Sequence, residues 1–215
     1  AYQAALANPQ MFSGKPEEDD PNFDLFTMRE DNGGGMYGEN ENTDIAIWNI
    51  DEFYWALAEL YISTKDEVYL TALQASPIHG KYTLEEIEAE SGIPTALYHW
   101  GHTNMLGAMS IATMGDELEL DEALVALSKN LLVAAADDFV SFANQPGYSL
   151  PLDSTILEWG SNSALVNNMM VLGLANDITE QADNKYVDAM ANGMGYLMGN
   201  NPMGISYVTG YGENA

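Results

Sequence analysis

The sequence predicts an all-α fold of stacked helical hairpins, on three observations. From Asp51 onward apolar residues recur at helical spacing, the helical stretches fall in pairs, and the second arms of the pairs begin alike. The 215 residues, 47% of them hydrophobic, suffice for one substantial domain, which at this size buries roughly 70% of its unfolded surface.

The first arm is Asp51 to Tyr61, where Phe53, Leu57, Leu60 and Tyr61 share a helical face and an acidic pair sits at the amino end, where the helix favours negative charge. Ser63 to Asp66 breaks the pattern, and Asp66 to Ala75 resumes it with Val68, Tyr69, Ala72 and Leu73. That is an αα-hairpin with a short turn. A second hairpin joins Thr103–Met114 to Asp121–Asn144, and a third joins Ser161–Ile178 to Lys185–Met198. The second arms open at Asp66, Asp121 and Asn184, each an N-capping residue type followed by apolar residues and then Ala. A single hairpin cannot bury its apolar face, so the units must stack, as an open solenoid or a closed ring. Residues 1–50 form a loop-rich opening, with Gly, Pro, Asn and acidic residues concentrated from Met11 to Asn49, and no linker or second domain is visible.

Charge excludes some partners. Six Lys plus Arg against 33 Asp plus Glu leave a formal charge of -27, a field that repels phosphate backbones and anionic headgroups. Nucleic acid and membrane surfaces are therefore not expected partners; a neutral ligand, or a saline medium that screens self-repulsion, suits the charge. Cys is absent, so the redox compartment is unreported. The chain starts with Ala, opens without a basic and apolar signal region, and holds no apolar run near the ~18 residues of a membrane span. The expectation is a soluble chain truncated at its start.

Three connections carry aromatic residues beside Gly or Pro: Gly33 to Tyr37 and on to Trp48, Ile93 to Trp100, and Gly147 to Leu152 and on to Trp159. Loops at one end of a ring of hairpins are where a cleft forms. A sugar ring presents flat C–H faces edged by hydroxyls, so its cleft needs aromatic plates flanked by uncharged hydrogen-bonding groups. Trp159-Gly-Ser-Asn-Ser163 offers both. Its first reading from the residues alone is still a core plug at Trp159 with Ser161 as N-cap, and its second is a stacking plate. The same pair of readings holds for Trp48 and Trp100. Trp55, on a helix stripe, is assigned to the core.

Metal chemistry has little support. His99-Trp-Gly-His102 lacks thiolates and placed carboxylates, so these are ordinary loop histidines before they are ligands. Asp31 to Asp44 has oxygen enough for calcium without the ordered spacing of a calcium loop, and is a solvated loop first. Asp137-Asp138 has no further acidic partners of a metal-diphosphate site, and no P-loop, nucleophile elbow or dinucleotide fingerprint occurs. Glycoside hydrolysis needs two carboxyl groups, and spacing singles out no pair among the 33.

Two runs carry a resemblance. Trp159-Gly-Ser-Asn-Ser-Ala-Leu-Val-Asn-Asn-Met-Met-Val-Leu-Gly-Leu-Ala175 and Tyr196-Leu-Met-Gly-Asn-Asn-Pro-Met-Gly-Ile-Ser-Tyr-Val-Thr-Gly-Tyr-Gly-Glu213 closely resemble the carboxyl-terminal part of glycoside hydrolase family 9. Asp51–Tyr61 with Asp66–Leu70, and Tyr98–Ala112, are similar to earlier helix pairs of that family, in the same order. The resemblance implies that residues 1–215 are part of one α/α toroid of six hairpins, incomplete at both ends. It implies an inverting β-1,4-glucanase of the cellulase type, secreted and extracellular, with no cofactor required for chemistry and a structural calcium allowed.

In that family an Asp pair in an Asp-Ala-Gly-Asp motif activates water and a later Glu protonates the leaving oxygen. The chain contains no Asp-Ala-Gly-Asp, and stops at Asn214-Ala215 where the family continues to a His- and Arg-containing substrate motif. No catalytic residue is therefore expected within it, and the chain itself should be inactive. What the resemblance carries over is a cleft wall: Trp159 as a plate stacking on glucose, Tyr37 in the loop that supplies a substrate-contacting Tyr, and Trp100 beside the cleft. Family members have an acidic residue after the Trp matching Trp100, whereas Gly101 and His102 follow here. The expected partner is a β-glucan polysaccharide or oligosaccharide. Two alternatives stand beside the enzyme fragment: a non-catalytic glucan-binding module, and a structural α-hairpin solenoid that binds protein through its loops.

Overall fold

The computed structural model describes residues 50–76, 78–80, 98, 103–153, 157, 160–180 and 184–212. The expected loop-rich opening, residues 1–49, lies outside them. Among the described residues the regular structure is entirely helical: α1 (Ile50–Thr64), α2 (Glu67–Ala75), α3 (Asn104–Met114), α4 (Glu122–Ala143), α5 (Ser161–Ile178) and α6 (Lys185–Leu197). The three hairpins read from the sequence are present, each helix within a few residues of its expected bounds.

The hairpin turns share a device. Lys65, Glu119 and Glu180, one per turn, take φ of 56°, 54° and 55°, the left-handed region that stops a helix but is uncommon for residues with a side chain. After the first two, an aspartate restarts the chain: Asp66 accepts the Val68 N–H at 3.0 Å and Asp121 accepts the Leu124 N–H at 2.8 Å. Each satisfies a backbone donor that the helix start leaves without an intrahelical partner. Asn184, the expected third cap, makes no side-chain cap hydrogen bond.

Helices α1 and α3 run parallel. Gly107 of α3 sits so close to α1 that a Cβ there would lie 2.9 Å from the Ala58 Cβ and 3.3 Å from the Trp55 Cα. One turn further along both helices, Ser110 donates to Glu59 at 2.7 Å. At the far end of α1 the Tyr61 hydroxyl accepts the Asp121 N–H at 3.1 Å, fastening the start of α4. Helices α5 and α6 are antiparallel, because Gly193 faces Leu165 and Met169 while Gly173 faces Met190.

Tyr54, Leu73, Met105, Ile111, Leu132, Phe139, Leu172 and Tyr186 belong to the main core. A second, smaller core of Leu150, Leu152, Ala164, Leu165, Met169, Tyr196 and Leu197 lies where α5 begins and α6 ends. Trp55 corrects an expectation: it is 37% exposed and donates its indole N–H to Glu59 at 3.1 Å. Its helical spacing placed it beside the buried stripe of Tyr54, Leu57, Ala58 and Tyr61, but periodicity reports a face, not how far cover extends around it.

Candidate functional site

Among the described residues, Tyr98 and the segments 144–153 and 198–212 lie at one end of α5 and α6 or against them. Because α1 and α3 are parallel, the chain enters both from the same end. Tyr98, six residues ahead of α3, is buried against the first half of α5: its hydroxyl donates to the Met170 Sδ at 3.2 Å, and its carbonyl accepts the Asn167 Nδ2–H at 3.0 Å. The next residue, the fully buried Asn168, donates its Nδ2–H to the Pro151 carbonyl at 2.9 Å. Successive helix residues point about 100° apart, so this Asn pair holds two different loops from one turn of α5.

The start of α5 differs from its expectation. Gly160, not Ser161, occupies the cap, with φ of 83°, and no side chain caps the helix there. Instead Ser163 turns back and donates its hydroxyl to the Gly160 carbonyl at 2.7 Å. Gly adopts this left-handed conformation without strain.

The loop that leaves α6 is held by one side chain. Buried Asn201 donates to the carbonyls of Tyr196 at 2.8 Å and Ile205 at 2.7 Å, and accepts the Met203 N–H at 3.1 Å. Tyr207 N–H closes the loop onto the Leu197 carbonyl at 2.8 Å. Tyr196 then stands between Tyr148 and Tyr207, with ring centroids 5.8 and 5.6 Å away in edge-on geometry. Burial, then the neighbouring tyrosines, push the Tyr196 hydroxyl above its ordinary pKa of 10.0, so it stays protonated.

Titratable pairing belongs to the other end of α6. Lys185, its first residue, and Tyr186 donate to Asp137 of α4 at 2.6 and 2.8 Å. Burial alone would raise the Asp137 carboxyl, but these hydrogen bonds and the ammonium charge hold it below its ordinary 3.8. A cavity of about 520 Å³ also lies away from the loop cluster, at the α3–α4 turn, lined by Asp116, Glu119, Glu122 and Lys129 among others. Lys129 is paired there with Asp116.

Tyr37, Trp100 and Trp159, the sequence-based site residues, all lie outside the described residues, as do Trp48, His99, His102 and the oxygen-rich stretch 31–44. The chain on either side is described for two of them: Tyr98 stands two residues before Trp100, and Gly160 follows Trp159. Tyr98 and the helix that Gly160 opens are in contact. Among the described residues no group of three or more His, Cys, Asp or Glu side chains could hold a metal ion, and no helix is long and apolar enough to cross a membrane. Sequence reasoning missed Asn167, Asn168 and Asn201 as loop anchors. The available signal was Asn167-Asn168 inside an apolar helix, since Asn is a poor helix former and its placement there requires a tertiary reason.

Comparisons with known proteins agree with this architecture. The model of glycosyl hydrolase family 9 matches residues 2–215. The chain is 34% identical to a cellulose 1,4-beta-cellobiosidase of Acetivibrio thermocellus over 99% of its length and 23% of that protein. It is 34% identical to endoglucanase C of Cellulomonas fimi over 85% of its length and 15% of that protein. The crystal structure of the family 9 endoglucanase J30 superposes with a TM-score of 0.68 at 25% identity, covering 99% of this chain and 33% of that one. The chain thus spans less than a quarter of either enzyme and a third of the solved structure. Its helical hairpins, their order and the family match over nearly every residue lead to one assignment: the chain belongs to glycosyl hydrolase family 9.

Proposed function

We propose that this chain forms part of the substrate-cleft wall of an enzyme that hydrolyses β-1,4-glucosidic bonds of cellulose or a related β-glucan with inversion. The observation that carries the reading is the seating of Tyr98 on Asn167 and Met170. It joins the loop that continues to Trp100 to the helix that follows Trp159, at the end from which α1 is also entered.

The chemistry asks for two carboxyl groups about 6.5–9.5 Å apart, one to activate water and one to protonate the leaving oxygen. No Asp-Ala-Gly-Asp sequence occurs in these 215 residues, so the proposal assigns the Asp base and Glu acid to residues outside this chain. Within it, Trp159, Trp100 and Tyr37 bind and orient glucose rings. No step passes through a metal, and any calcium on the 31–44 loop serves structure. An extracellular setting belongs to the same proposal, because an insoluble polymer must be cut where it lies.

The test is reducing-sugar release together with binding. The pure 215-residue chain is expected to release no sugar from carboxymethylcellulose while cellohexaose changes its Trp fluorescence. Measurable hydrolysis would overturn the assignment of the carboxyl pair to residues outside the chain. No fluorescence response would favour a protein-binding solenoid.

A further inference from the structure

We propose that Met170 is a modification site that takes an oxygen atom from a peroxide, and that its sulfoxide frees the Tyr98 hydroxyl from α5 and loosens the connection leading into α3. Glucan binding plays no part in this step, so it stands or falls apart from the function proposed above.

Met170 is 53% exposed, and Val166, one turn before it on α5, is exposed too. A small oxidant therefore reaches its sulfur from solvent. Met194 and Met203 are also exposed, so access alone does not distinguish Met170. What distinguishes it is the group on its sulfur: the Tyr98 hydroxyl, 72 residues earlier in the chain, donates to the Met170 Sδ at 3.2 Å, while Tyr98 itself is buried. An exposed, oxidisable atom thus holds a buried residue of another segment.

A thioether sulfur has two lone pairs, and the Tyr98 hydroxyl occupies one. In the oxidation a sulfur lone pair attacks one oxygen of hydrogen peroxide, and the S–O bond forms as the O–O bond breaks. The leaving hydroxide takes the proton of the transferred hydroxyl and departs as water. Sulfur is oxidised by two electrons and the peroxide is reduced by two. On the lone pair facing Tyr98, the new oxygen needs the space that the hydroxyl fills. On the other lone pair, sulfur becomes the positive end of an S–O dipole and stops accepting. Either attack breaks the bond to Tyr98, and the polar oxygen of an exposed side chain turns to water.

Tyr98 has two ties to α5, one turn apart: its carbonyl accepts from Asn167 at 3.0 Å, and its hydroxyl donates to Met170. Oxidation removes the second and leaves the first. A buried hydroxyl without an acceptor is unfavourable, so Tyr98 is driven outward while α5 itself stays folded. The cap of α3, Thr103, follows a few residues on, and the chain between them loses one of its upstream anchors.

The experiment is hydrogen–deuterium exchange of the full chain before and after treatment with hydrogen peroxide, with peptide mapping to locate sulfoxide and circular dichroism to check helicity. Exchange in the peptide spanning residues 96–106 is expected to rise roughly two- to tenfold in the oxidised wild type, the worth of one net hydrogen bond. It returns on treatment with methionine sulfoxide reductases of both epimer classes. Met170→Leu, which cannot take the oxygen, and Tyr98→Phe, which has no hydroxyl to release, are expected to show no rise on oxidation. Met194→Leu and Met203→Leu respond as the wild type does. Three results each overturn the proposal: unchanged exchange in wild type shown to carry sulfoxide at Met170, a rise that persists in Met170→Leu, or a Met170 left unoxidised where Met194 and Met203 are oxidised.

Discussion

Asn167 donates its side-chain N–H to the carbonyl of Tyr98, 69 residues earlier, at 3.0 Å. The bond ties the entry loop of α3 to the body of α5. Its neighbour Asn168 holds Pro151, so one turn of helix sets two connections that the chain itself leaves far apart.

Asn167→Ala is expected to leave the Tyr98 carbonyl without this donor and to cost about 1 kcal/mol, the usual net value of such a bond with part returned by alanine's better helix propensity. Urea unfolding measures it: the midpoint falls while the slope is unchanged. An unaltered midpoint would show that the contact holds nothing.

Gly107→Ala tests the closeness of α1 and α3. The new Cβ would meet the Ala58 Cβ at 2.9 Å and the Trp55 Cα at 3.3 Å, and neither atom can swing aside as a long side chain would. The helices must separate, at a cost of roughly 1–3 kcal/mol. A melting temperature equal to that of the wild type would mean the approach is looser than the structure has it.

Asp137 makes a pH-dependent contribution. Burial acts to raise its carboxyl, and the bonds from Lys185 and Tyr186 with the lysine charge bring it below 3.8. A carboxyl depressed on folding contributes stability that is full above its unfolded value and is lost as pH falls through the lower folded value. The wild type is therefore expected to exceed Asp137→Asn in stability near neutral pH, and the gap to close as pH drops below 3.8. Asp138 works in the opposite direction, since burial and then the Asp137 charge raise its carboxyl; neutralising Asp137 relieves it and narrows the gap. Chemical unfolding of both proteins across this range measures the difference, and a gap that widens on acidification would contradict the pairing.

The helices and their pairing were legible because a buried stripe must repeat at the helical period, and the Asp66 and Asp121 caps because a helix start needs an acceptor for its free N–H groups. Lys65, Glu119 and Glu180 were not legible as left-handed turn residues, since nothing in a charged side chain announces positive φ. Ser161 is the expected cap by residue type, yet the cap position is taken by Gly160 with positive φ, which a glycine adopts without strain. Trp55 was misassigned because spacing fixes its angle on the helix, whereas exposure depends on what packs opposite. The loop-anchoring asparagines needed the fold itself: each acts on a carbonyl whose nearness no pattern of residue types records.

The central claim, that the connections leading into α3 and α5 form part of a β-glucan cleft wall, is tested most directly by titrating the wild type and Trp159→Ala with cellohexaose while following Trp fluorescence. The account predicts a saturable change in the wild type and its loss, or a weakening of at least about tenfold, in the variant, as removal of a stacking plate entails. A saturable change of equal affinity in both proteins would contradict it.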